Sequence, residues 1–206
     1  MQTVNICWFR RDLRLTDNAA LYHALKSGNQ VVPVFVFDEN ILDKLEDKSD
    51  RRVAFIHDAL QEMQQELLKL NASLEVYYGT PLQMFQKLLA KYNIGEVFTN
   101  HDYEAYALER EQLIKTQLSE KNVPFHTFKD QVLLEKGEVL KDDGKPYTVF
   151  TPYSRKWKSV ITDFDFKAYP TEKYFSNFYK QSPVDIPSLE SMGFKKKKKT
   201  FPSKEI

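Results

Sequence analysis

The sequence predicts an α/β fold: a doubly wound, five-stranded parallel sheet of Rossmann-like type, followed by an extended linker. Three observations predict it. Between residues 1 and 130, apolar runs of strand length alternate with amphipathic stretches of helix length, the rhythm of right-handed strand–helix–strand crossovers. The first two runs are apolar without alternation, as strands covered on both faces require. Near residue 130 the rhythm stops.

Val4, Ile6, Cys7, Trp8 and Phe9 make the first strand, which breaks into Arg10-Arg11-Asp12-Leu13-Arg14. A helix is expected from Asp17, with Ala20, Leu21, Ala24 and Leu25 on one face and Gly28 as its stop. Val31 to Phe37 is the second strand, ended by Asp38-Glu39-Asn40. Pro33 removes one ladder donor from it and belongs near the strand start or at an unpaired position.

Ser49 or Asp50 caps the longest helix, whose Val53, Ile56, Leu60, Met63, Leu67 and Leu70 recur at three and four and so form one stripe. Leu74 to Tyr78 is the third strand. Thr80 caps the next helix with Pro81 at its first position, and Met84, Phe85, Leu88, Leu89 and Tyr92 are its buried side. Glu96 to Thr99 is the fourth strand, and a helix bearing Leu108, Leu113, Ile114 and Leu118 leads to the fifth, Pro124 to Phe128.

Beyond residue 130, Val132-Leu133-Leu134 and Glu138-Val139-Leu140 read as short extended pieces, and Asp142-Asp143-Gly144-Lys145 as a turn. Thr151 starts a short helix that carries Trp157. From Phe166 onward prolines break the chain, and its eight aromatics have no element to form a core of their own. The sequence therefore divides into an α/β domain, 1–130, and a linker, 131–206, that lies across another domain's surface.

Thirty basic against 29 acidic side chains give no global electrostatic case for nucleic-acid binding. The run Lys195 to Lys199 is either a DNA-contacting patch or a solvated low-complexity segment. Cys7, the single cysteine, forms no internal disulfide and suits a buried small hydrophobe, with a reducing, cytoplasmic setting as the default. No targeting segment is evident, and no stretch approaches the roughly 20 apolar residues of a membrane span.

In parallel sheets ligands bind outside the carboxyl ends of the strands. That edge gathers Arg10, Arg11 and Asp12, then Phe37, Asp38 and Glu39, then Gly79, and finally Asn100, His101, Asp102, Tyr103 and Glu104. Phosphate-binding glycine motifs are missing, and the chain has only six glycines. The four histidines lack metal-ligand spacing, and no nucleophile elbow is present.

Trp8-Phe9-Arg10-Arg11-Asp12-Leu13-Arg14, with Asp17-Asn18 and Ala20-Leu21, resembles the opening signature of the DNA photolyase/cryptochrome family. The resemblance continues through Val34 to Asp38, through Arg51, Phe55, Leu60 and Leu67, and through Asn100, Asp102, Tyr103, Glu104, Ala107, Arg110 and Glu111. It extends over Val149 to Tyr153, where the family more often has Phe than Tyr153, and reaches Trp157, Ile186 to Leu189 and Met192 to Phe194.

The resemblance implies the N-terminal domain of a photolyase that repairs UV-induced pyrimidine dimers, or of a cryptochrome photoreceptor. A free-standing nucleotide-binding module is the third reading. The photolyase/cryptochrome resemblance implies FAD in a helical domain following the linker, damaged DNA as partner of the full-length protein, and no catalytic or metal-binding residue in this stretch. Trp8 and Trp157 are expected to be structural. An antenna pigment (folate, deazaflavin or a second flavin) would lie at the strand-end crevice. Glu104 is the first candidate to hold it, with a helix cap as its alternative role. Tyr103, Asp102, Asn100, Asp38 and Phe37 follow. Arg10 and Arg11 either bind the ligand or brace the helical domain. Self-association of the exposed surface is a further expectation.

Overall fold

A computed structural model describes residues 2–196. Five parallel strands run β1 Thr3–Trp8, β2 Gln30–Asp38, β3 Glu75–Gly79, β4 Asn93–Asn100 and β5 Phe125–Phe128, in the spatial order β3-β2-β1-β4-β5. This order reverses direction between β1 and β4, where a doubly wound sheet leaves its crevice. The helices are α1 Ala19–Lys26, α2 Glu39–Leu42, α3 Arg51–Lys69, α4 Pro81–Lys91, α5 Ala105–Ser119 and α6 Phe150–Val160.

Two cores sandwich the sheet. Cys7, Phe9, Phe35 and Phe37 pack with α1 and α3 on one face, while Ile6, Trp8, Val34 and Val36 pack with α4 and α5 on the other. Strand alternation explains the split, and the two-sided burial explains the continuous apolar runs. Pro33 lies inside β2, but Val34 accepts a β1 hydrogen bond from Phe9 N at 2.9 Å. Alternation then turns the position of Pro33's missing N–H toward β3, just ahead of Glu75, where that pairing begins.

Helix starts follow side-chain chemistry. Asp50 caps α3 by accepting from Arg52 N, and Thr80 and Gln83 form a reciprocal capping box on α4. Gly79 precedes that box at φ 139°, where a β-carbon would stand 2.8 Å from Gln83 Oε1. Asn18, not Asp17, caps α1, accepting from Leu21 N. Asp17 instead takes a left-handed turn at φ 47° ahead of the helix.

Three further expectations are corrected. Leu108 and Leu113 are 54% and 62% exposed, and Ala107, Glu111, Ile114 and Leu118 form the inner side of α5. Residues 132–140 are bends and turns rather than extended pieces, and α6 begins at Phe150 with Val149 as its cap residue.

The aromatic tail joins the core of the α/β domain. Phe178, Leu189, Met192 and Phe194 are buried in the α1–α3 core, and Tyr179 N donates to Val31 O at 2.9 Å. Further along, Gln64 Nε2 donates to Val184 O at 2.7 Å. Burying a side chain such as Phe178 stabilises by roughly 1.5–3 kcal/mol, so the tail is an integral strap. The lysine run falls partly at 197–199, outside the described residues.

Candidate functional site

Two polar clusters stand at the strand ends. The first is closed. Asp12 Oδ1 accepts from Arg10 N at 2.9 Å, and its Oδ2 accepts from Asn18 Nδ2 at 2.9 Å and Asn100 Nδ2 at 2.7 Å. Asn100 Oδ1 in turn accepts from Ala20 N at 2.9 Å, and Arg10 donates to the Asn100 carbonyl. Asp12, Asn18 and Asn100 are all buried. Their donors and acceptors are satisfied within the chain, so this cluster ties the ends of β1 and β4 to the start of α1.

The second cluster borders a cavity of about 500 Å³ over the ends of β1 and β2. Phe35, Phe37, Leu42, Val53 and Ile56 form its apolar wall, with Asp38, Tyr106 and Arg110 on the polar side. Asp38 Oδ2 accepts from Tyr106 Oη at 2.7 Å and Arg110 Nη1 at 3.2 Å, while its Oδ1 caps α2 through Asn40 N at 3.1 Å. Burial, and then the hydrogen bond to Asp38, raise the Tyr106 phenol above its usual range, so it stays a donor.

Trp8 supports the guanidinium groups. Arg10 and Arg110 sit 5.2 and 5.3 Å from its ring centroid, and Phe85 meets it edge-on at 5.4 Å. Arg10 also pairs with Glu111 at 3.3 Å. Burial lowers the Arg10 pKa and Glu111 opposes that shift. Trp8 Nε1 and Arg110 Nε are buried with no hydrogen-bond partner among the described residues. Unpaired buried donors are costly, so two at one cavity wall point to a site shaped by something besides stability.

Phe37, Asp38, Arg10, Arg11, Asp102 and Glu104 thus come together around one cavity. Asn100 is locked in the closed cluster. Tyr103 turns away, donating to Glu135 Oε1 at 2.8 Å beside His101, which pairs with the same carboxylate. Burial raises the Glu135 pKa, but His101, Tyr103 and Lys129 together outweigh it and leave the carboxylate below its ordinary range. Glu104 stands at the N-cap position of α5 without making a cap hydrogen bond. Its exposed carboxylate pairs with Arg11 at 2.5 Å, and Arg11 also lies 3.4 Å from Asp102. This ion pair with Glu104, the largest cause, raises the Arg11 pKa.

Tyr106 and Arg110 were not among the candidates, although their spacing of four puts them on one face of α5 facing the strand ends. Trp8, expected to be structural, carries the arginine stack. Among the described residues there is no metal-binding cluster, and no helix is long and apolar enough to cross a membrane.

A family model described as DNA photolyase matches residues 5–173. A deoxyribodipyrimidine photo-lyase from Synechococcus is 30% identical over 152 residues, covering 74% of this chain and 31% of its own length. A class III photolyase from Agrobacterium tumefaciens shares the fold at a TM-score of 0.77 and 23% identity, over 93% of this chain and 38% of its own. An archaeal photolyase from Sulfolobus tokodaii, solved with two FAD molecules, matches at a TM-score of 0.63 and 26% identity, over 79% of this chain and 36% of its own. The chain spans from about a third to about half the length of the curated relatives it matches.

Proposed function

Because the chain belongs to the DNA photolyase family, we propose that it is the N-terminal, pigment-holding part of a light-driven lyase that splits UV-induced pyrimidine dimers in DNA. The observation that carries this reading is the cavity of about 500 Å³ at the β1 and β2 ends, a size suited to a fused-ring ligand. Its apolar walls suit a flat ring system, Arg10 and Arg110 offer donors for carbonyl edges, and Tyr106, held by Asp38, adds a ring to the wall. The unpartnered Trp8 Nε1 and Arg110 Nε fit the same need. A folate, deazaflavin or flavin bound there would absorb light and pass the excitation to FAD in a following helical domain. Glu104 and Arg11 stand at the rim, where a polar tail of the pigment would leave the cavity.

The second domain has a place to dock. Helix α6 has no buried residue, and Phe150 is 77% exposed. Phe150, Tyr153 and Trp157 recur at three and four on one side, an apolar stripe awaiting a partner. The bare surface also favours self-association of this stretch alone. A cytoplasmic setting belongs to the same reading, supported by one buried thiol, Cys7. The free-standing-module alternative needs a phosphate loop after β4, and residues 100–104 form none.

Titration with methenyl-folate, a deazaflavin and FMN, read by pigment fluorescence, tests the cavity. One of the three should bind with one-to-one stoichiometry, and binding by none would remove the antenna role. Repair belongs to the helical domain, where a flipped-out lesion would meet FAD. Residues 1–206 alone should therefore leave thymine dimers intact under blue light, and measurable cleavage would refute the division of labour.

A further inference from the structure

A second cavity, of about 620 Å³, opens at the β5 edge of the sheet between α1 and residues 164–170. Rings and cations alternate around it: Tyr22 and Lys26 from α1, Lys129 after β5, then Phe166, Lys167 and Tyr169 from the tail. Two of its cations are already engaged. Arg14 holds both oxygens of Asp130, at 3.0 and 2.9 Å, and Lys129 lies 3.2 Å from Glu138 and 3.6 Å from Asp165.

Lys26 and Lys167 differ, because neither forms an ion pair among the described residues. Lys26 Nζ donates to Tyr22 Oη at 3.0 Å and lies 4.7 Å from the Tyr22 ring centroid, while Lys167 Nζ lies 5.8 Å from that of Phe164. An ammonium group with at most one donor used by a phenol or beside a ring keeps donors free for an anion. Beside them, Phe164 and Phe166 are 73% and 62% exposed, an unusual placement for two large rings.

We propose that this cavity binds a nucleoside phosphate, with the base against the aromatic wall and the phosphate between Lys26 and Lys167. Exposed rings interleaved with unpaired cations are the combination by which proteins hold nucleotides without reading sequence. His23 adds a polar edge: it stacks on Phe128 at 4.4 Å, and burial followed by Lys26 lowers its pKa, which favours a neutral ring able to donate and accept. The phosphate could belong to a free nucleotide or to a single strand of nucleic acid. The site is separate from the pigment cavity, so it stands or falls independently of it.

The test is fluorescence anisotropy with a labelled oligothymidylate, with AMP as competitor. The double variant Lys26→Glu, Lys167→Glu should weaken oligonucleotide binding by at least about tenfold. Phe166→Ala should weaken it by about tenfold through lost stacking. All three positions are exposed, so folding is retained. Lys87→Glu with Lys121→Glu, away from the cavity, changes net charge equally and should alter binding by less than about twofold. AMP competing as tightly as unlabelled strand assigns the site to free nucleotides, and a stronger strand assigns it to nucleic acid. No binding of either ligand, or equal losses in the two double variants, overturns the proposal.

Discussion

Asp12 follows β1 and Asp38 ends the neighbouring β2; both are buried and both accept from backbone and side-chain donors, yet they do different work. Asp12 is enclosed by Arg10 N, Asn18 and Asn100, and it lines neither of the two cavities described above. Asp38 holds Tyr106 and Arg110 at the wall of an open cavity. What differs is the partner. Asp12 is satisfied by short amides fixed on the ends of β4 and α1, whereas Asp38 is satisfied by long side chains that also present surface to a ligand. A carboxylate at a strand end is therefore no guide to function until its donors are known.

The largest effect should come from breaking the closed cluster. Asp12→Ala strands three buried donors and should cost about 3 kcal/mol, read as a lower midpoint in urea. Loss of less than about 1 kcal/mol would mean that the cluster is not a structural tie. Next, Arg110→Ala should reduce pigment affinity by at least about tenfold, while costing about 2 kcal/mol of stability through the broken pairing with Asp38. If stability falls as far as in Asp12→Ala while pigment still binds, the contrast between the two carboxylates disappears.

Glu104→Gln should be milder, because its ion pair with Arg11 is exposed. Stability should stay within about 0.5 kcal/mol, and pigment affinity should change less than it does in Arg110→Ala. A larger loss of affinity than in Arg110→Ala would move the centre of the site to the rim. The smallest effect concerns His23, whose pKa is lowered by burial and then by Lys26. The unfolded chain takes up that proton first, so this stability is whole above about pH 6.5 and declines as pH falls through the lowered value. Thermal midpoints measured between pH 7.5 and 5 should fall less steeply in His23→Gln than in the unaltered chain.

Helix caps and strand order tested the sequence differently. Thr80, Pro81 and Asp50 were legible because capping is local chemistry within four residues. The strap of residues 169–194 was not, because its aromatics find their partners on α1, α3 and β2, far away in the chain. Likewise Leu108 and Leu113 are apolar but exposed, and residue type alone does not say which side of α5 meets the sheet.

By itself, the sequence determined the five strands, most helix boundaries and the family signature around Arg10 to Arg14, since periodicity and capping act over short separations. Which strand-end residues face a ligand was decided only in three dimensions. Asn100 is consumed by contacts 80 to 90 residues away, and Tyr103 is turned toward Glu135. Trp8, Tyr106 and Arg110 become a wall only when β1 and α5 meet at the switch point of the sheet.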